Sequence, residues 1–438
     1  MNELINSLEL KEIINELKKN NYSNALAKTE TLYKKYPNNR ILIKLFASIY
    51  FNLGQWEKAL KYYFEVLNFE NEKFKIYCNI GVSYFQLGKI NKSIIAFKDA
   101  INDNPYFDIA YDNLGISYLE LGKYGDAIQN FILSLKLNEK NFNSKKNLIN
   151  SLNLYKPKNK NENILIKLDD QISNIVNDYK IKNFYDEKNI KLILEKSNEF
   201  ISSYKNNIYT YETQIFRKNL ENLNCSRHFK VFNKFNIIPK YCFSCYKIIF
   251  HASNVVNLIK LYFLFDNLHL KNNNIRKCIV ETRKNIRGNY KGYIYCKGLE
   301  DAQEVYEIVN KIVINENLND FKISIKHGCS EYYKIFPEFE KIDFNGEQKF
   351  KYNKNWQIKE KLIDDEEPTR LDMDKKIFSK SIGGLSLSDV LIINNWINYA
   401  KITEDNSYKL IYEKKINISF LNNILEDQLS FRSENNLI

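Results

Sequence analysis

Cys225-Ser226-Arg227-His228 and Cys242-Phe243-Ser244-Cys245 are separated by thirteen residues, a CxxH pair followed by a CxxC pair. Two residues between ligands let both side chains turn onto one metal. Three thiolates with one imidazole form a usual closed, four-ligand tetrahedral set. The spacing therefore predicts a structural zinc site at Cys225, His228, Cys242 and Cys245, with His251 as a spare ligand. Such a site stabilises a fold and catalyses nothing. Two other readings stay open. A redox CxxC is one, although Phe243 departs from the small or proline residues expected between reactive cysteines. Plain buried thiols with a satisfied histidine are the other, since free cysteine is among the most buried residue types. Of the seven cysteines only Cys78 lies in the N-terminal third, and all four histidines lie beyond it.

A second group, Arg283, Lys326, His327 and Cys329, could handle an anionic substrate, with His327 as acid or base and Cys329 as nucleophile. Two residues apart on an extended strand, His327 and Cys329 are expected on one side. A solvated hairpin with scattered basic residues explains the same residues without chemistry. No Gly-rich phosphate loop, GxSxG or HExxH is present.

These residues must be positioned by a mixed segment. Tyr246 to Phe250, Arg276 to Thr282, Tyr293 to Cys296 and Phe321 to Ile325 read as strands, with a hairpin turned at Gly288. Val255 to Leu268 and Leu299 to Ile314 read as helices, giving an α+β domain over residues 225–337. Helical spacing over Ile164 to Tyr179, Lys188 to Tyr204 and Tyr209 to Leu223 predicts a helical connector at 164–224. Residues 156–163 are polar, without an apolar anchor, and read as a linker. Residues 338–438 form a polar segment with a helix at Leu385 to Lys401.

The N-terminal third repeats itself every 34 residues. Gly54, Gly88 and Gly122 share one register; Tyr50, Tyr84 and Tyr118 share another. Ala25, Ala59, Ser93 and Ala127 form a third, and Pro37, Asn71, Pro105 and Glu139 close the units. Paired helices broken by a glycine that accepts a left-handed helix end cannot bury an apolar face singly, so at least three must stack. Gly81 and Gly115 fall where the helices cross closely. The pattern resembles the tetratricopeptide repeat, which implies an α-α superhelical solenoid over residues 1–155. Four repeats, 6–39, 40–73, 74–107 and 108–141, would be capped by a helix from Phe142 to Leu154. The resemblance covers roughly 140 of 438 residues and implies a binding surface rather than a reaction.

On the face expected to be concave lie Lys44, Lys75, Asn79, Asp112 and Asn113. By the resemblance, Asn79 and Asn113 occupy the slot where peptide-binding arrays place an asparagine, whose amide both donates to and accepts from an extended backbone. Equally open is that these amides only bond their neighbours. Two lysines do not make the basic cluster that clamps a terminal carboxylate.

Composition bounds the rest. Charged residues make up 27% and hydrophobic residues 44% of the chain, ordinary globular usage. The net charge of +12 is spread thinly, without the concentrated patch of a nucleic-acid reader, so nucleic acid is not expected as a partner. No apolar stretch reaches a bilayer's thickness, and the first ten residues lack a signal-peptide pattern, so a cytoplasmic protein is expected. The expected function is protein or peptide recognition by an adaptor or scaffold with a C-terminal effector domain. The alternative is an enzyme, a transferase or other modifying activity, whose repeats recruit a protein or glycan substrate.

Overall fold

Gly54, Gly88 and Gly122 adopt φ of +70°, +68° and +69°, each ending the first helix of a hairpin in the left-handed conformation that only glycine enters without strain. The computed structural model describes residues 7–204, 208–283, 286–318, 320–366, 380–412, 429–432 and 434. Residue 6 of the first expected repeat and residues 367–379, 413–428, 433 and 435–438 of the expected C-terminal segment lie outside the described residues. The chain divides into two compact units at Leu148 and Ile149.

The first unit is built from helical hairpins: α1 (Ser7–Lys18) with α2 (Tyr22–Lys35), α3 (Arg40–Asn52) with α4 (Trp56–Leu67), α5 (Phe74–Gln86) with α6 (Ile90–Asp103), and α7 (Asp108–Glu120) with α8 (Tyr124–Leu137). The helix α9 (Phe142–Ser151) follows, where a cap from Phe142 was expected. Within a hairpin the close approach is made at glycine. A Cβ at Gly81 would lie 2.5 Å from the Phe97 ring, and one at Gly115 would lie 2.5 Å from Phe131. Phe46, Tyr50 and Tyr62 stack within the α3–α4 hairpin, and Ile76 and Ile80 of the next hairpin join their cluster.

The second unit begins with α10 (Ile164–Asp178) and α11 (Glu187–Ser202). The third connector helix expected over Tyr209 to Leu223 does not form. Its aromatic and β-branched residues favour an extended chain, and β1 (Gln214–Arg217) pairs antiparallel with β3 (Arg276–Val280). The core motif runs β2 (Cys245–Ala252), α13 (Val255–Asn267), β3, β4 (Tyr290–Lys297), α14 (Gly298–Asn315), β5 (Lys322–His327). The sheet order is β1-β3-β4-β2-β5, antiparallel throughout. Without β1 this is a split βαβ, ferredoxin-like topology. Helices α13 and α14 cover one face, where Phe250 packs on Phe265 and Gly292 admits Leu261 and Phe265.

Three further helices belong to this unit among the described residues. α12 (Cys225–Phe235) is joined to α15 (Trp356–Glu366) by Arg227, which bonds Glu360 and Asp364. α16 (Leu387–Ile402) starts from a capping box of Ser386 and Asp389 and is buried on all sides, which explains its lack of an amphipathic period. Its Asp389 meets Arg217, which also bonds Asp266 and the Tyr262 hydroxyl. Among the described residues, no helix is long and apolar enough to cross a membrane.

Candidate functional site

Strand alternation decides which side chains can meet. On β2, Tyr246, Ile248 and Phe250 turn toward the helices, leaving Cys245, Lys247, Ile249 and His251 on the opposite face. The register continues that face across the sheet: Lys247 lies opposite Tyr295 on β4 and Lys326 on β5, and Lys277 on β3 lies between Phe216 and Tyr293. With Cys225 and Phe229 of α12 and with Arg283, Cys329 and Glu331, these residues enclose a cavity of about 280 Å³.

The cavity is strongly cationic. Lys247 is 7% exposed; its ammonium donates to Cys329 Sγ at 3.0 Å and sits 5.2 Å from the Tyr295 ring. Lys277 rests between the rings of Tyr293 and Phe216, at 5.1 and 5.6 Å. Lys326 donates to the Ser330 hydroxyl. Among the described residues, no carboxylate comes within ion-pair distance of these three lysines. Arg283 differs: its guanidinium donates to buried Glu281 at 2.8 Å and to Glu331 at 2.7 Å. Burial, with the ammonium of Lys247 nearby, pushes Lys277 down to about 8, and the same two causes lower Lys326.

Of the second sequence group, then, Arg283, Lys326 and Cys329 line one cavity and His327 does not. The same-side expectation for His327 and Cys329 fails because Gly328, at φ +56°, ends the strand between them. His327 is buried against Tyr246, with ring centroids 4.4 Å apart. Its Nδ1 and Nε2 lie 2.9 and 3.1 Å from the carbonyls of Phe339 and Phe243. Lys247 and Lys277 escaped the sequence reading, although a lysine inside an apolar strand, as in Cys-Tyr-Lys-Ile-Ile-Phe, was the available signal.

The zinc expectation finds no support in the geometry. Among the described residues, no group of three or more His, Cys, Asp or Glu side chains is placed to hold a metal ion. Cys242 Sγ lies 3.3 Å from the Tyr332 hydroxyl, in a cluster with Phe232 and Phe339. His228 is buried and stacks on Tyr241; Cys225 faces the cavity. Burial raises the thiols of Cys225, Cys242 and Cys245, the last to about 12. All seven cysteines are free. A larger cleft of about 650 Å³, between Asn219, Asn274 and Asp301, has amides already bonded to Asp301 and gathers no comparable chemistry.

In the repeats, both asparagines bond inward. Asn113 Nδ2 donates to Cys78 Sγ at 3.5 Å, and the Asn79 side chain bonds the Tyr63 hydroxyl. Asp112 accepts from Ser144 Oγ at 2.9 Å and Asn147 Nδ2 at 3.1 Å. Lys44 pairs with Glu70. Exposed on the first helices instead are Ile41, Lys75 and Ile109, 34 residues apart in one register.

Family models match this region. A model described as TPR repeat matches residues 47–88, and one described as tetratricopeptide repeat matches 74–105 and 109–141. No curated protein matches the sequence. Similar solved structures include MamA from Desulfovibrio magneticus RS-1, at 15% identity and TM-score 0.31, covering 33% of this chain and 82% of that one. The Arabidopsis OM64 TPR domain is 20% identical at TM-score 0.25, covering 26% and 93% respectively. The first TPR domain of Spaghetti, bound to an HSP90 peptide, is 21% identical at TM-score 0.25, covering 26% and 89%.

Proposed function

From the premise that residues 47–141 are tetratricopeptide repeats, we propose that the chain recruits a protein partner through them and serves as an adaptor or scaffold for its second unit. The observation that carries this reading is the tandem array itself, whose side chains are engaged with one another while one register of the first helices stays exposed. Ile41, Lys75 and Ile109 are the contact positions this reading favours, because a bound segment meets side chains that are not already bonded within the array. Asn79 and Asn113 act in it by joining helices, which fixes the spacing of that surface.

The experiment is site-specific photo-crosslinking from position 75 or 109 of the full chain in native extract. Capture of a defined polypeptide, lost when Ile109→Asp is combined with a crosslinker at 75, supports the reading. Crosslinks confined to the chain itself overturn it.

A second reading is favoured by the gathering of Arg283, Lys326 and Cys329 around one cavity. In it, the second unit modifies the recruited partner. Its test is a mass change on the crosslinked partner that disappears with Cys329→Ser; an unchanged partner leaves the scaffold reading alone.

A further inference from the structure

We propose that the cavity on the open face of the sheet binds a small phosphomonoester, held by Lys247, Lys277 and Lys326. The proposal concerns binding alone and stands whether or not the repeats recruit a partner.

The register makes the case. Lys247 and Lys326 are directly opposed on adjacent strands, and like charges so placed repel. Lys277 adds a third ammonium to the same cavity. Each ammonium carries three donors, yet their partners are a thiol, a hydroxyl and aromatic rings. Burying cations without a counter-charge is costly. A fold that buries Lys247 and half-buries Lys277 and Lys326 at one site is suited to an anion that supplies the missing charge and acceptors. Glu331 is the carboxylate at the rim, and it is bonded to Arg283.

Charge and size select the class. A carboxylate brings one negative charge and two acceptor oxygens, whereas a phosphate ester brings nearly two charges and three terminal oxygens for three lysines. A volume of about 280 Å³ accepts a phosphate with a compact organic group such as a pentose. The split βαβ sheet that reads single-stranded RNA stacks bases on exposed aromatics of its central strands. Here Tyr293 of β4 is 7% exposed, and the rings of Tyr293 and Tyr295 already carry lysine ammoniums. An extended strand is therefore not the ligand this face fits.

The test is calorimetric titration of the full chain with ribose 5-phosphate and, separately, with inorganic phosphate, at constant ionic strength. Lys277→Gln and Lys326→Gln are titrated alongside, with circular dichroism confirming that each is folded. Each variant is expected to bind the ester about tenfold or more weakly, the loss of one charge-assisted hydrogen bond. Tighter binding of the ester than of inorganic phosphate marks the organic group as recognised; equal binding marks free phosphate as the source. The proposal is overturned if the chain binds neither probe, if both folded variants bind undiminished, or if a single-stranded oligonucleotide or phosphoserine peptide binds where the small probes do not.

Discussion

In the repeats, polar side chains on facing helices meet in pairs: Ser93 with Ser117 at 2.8 Å, Ser134 with Ser144 at 2.8 Å, Asp112 with Asn147 at 3.1 Å. In the sheet unit, Arg217 is equally well matched by Asp266 and Asp389, yet Lys247, Lys277 and Lys326 on the other face of the same sheet have no carboxylate within ion-pair distance among the described residues. The first region uses its polar groups to hold a shape, and its function lies in that shape. The second region matches Arg217 with two carboxylates on its helix-covered face and leaves three lysines without one, among the described residues, on the other. The contrast teaches that chemistry is to be sought where a well-satisfied scaffold leaves charge unmatched, rather than where reactive residue types crowd in sequence.

Variants break or sharpen this contrast. The largest effect is expected at Arg217→Ala, which leaves Asp389 and Asp266 buried beside one another without their cation. It should cost about 3–5 kcal/mol, seen as a lower midpoint in denaturant unfolding; a cost under about 1 kcal/mol would mean that the helix-covered face is not held by this network.

His228 gives the next effect. Burial, reinforced by the neighbouring Arg227, lowers its pKa to about 4, against an ordinary value near 6.5. The unfolded chain therefore takes up a proton that the folded chain refuses as pH falls from about 6.5 to 4. Stability from this group is complete above that window and declines through it, by at most on the order of 3 kcal/mol. His228→Gln should flatten the decline in melting temperature relative to the parent chain, and parallel profiles would contradict the burial argument.

Gly115→Ala tests the repeats. The added methyl meets Phe131 at 2.5 Å, and overpacking of this kind costs about 1–3 kcal/mol, read as a lower thermal midpoint. The smallest effect belongs to Lys75→Glu and Ile109→Asp. As exposed positions they should move stability by no more than about 0.5 kcal/mol each, while crosslinking of a partner is lost.

The repeats were legible because their logic is local: glycine, alanine and aromatic positions recur at a fixed interval, and Gly81 and Gly115 marked the helix crossings from sequence alone. The βαββαβ order was legible from strand and helix patterns, and Gly288 turns its hairpin as expected, at φ +82°. The cavity was only partly so. Arg283, Lys326 and Cys329 were in view, but Lys247 and Lys277 join them through cross-strand register, which depends on pairings between residues 16 to 79 positions apart. His327 misled because one left-handed glycine reverses the alternation that an extended chain implies. The paired Cys spacing is not gathered into one ligand set among the described residues: Cys242 lies against Tyr332, 90 positions away.

The most direct test of the division between a recruiting surface in the repeats and an anion-binding cavity in the sheet unit is a crossed measurement on two double variants of the full chain. Lys75→Glu with Ile109→Asp, and Lys277→Gln with Lys326→Gln, are each assayed for partner crosslinking and for ribose 5-phosphate binding. The first should lose the partner and keep the ester; the second should lose the ester and keep the partner. Loss of both properties in either folded variant, or loss of neither, would contradict the account.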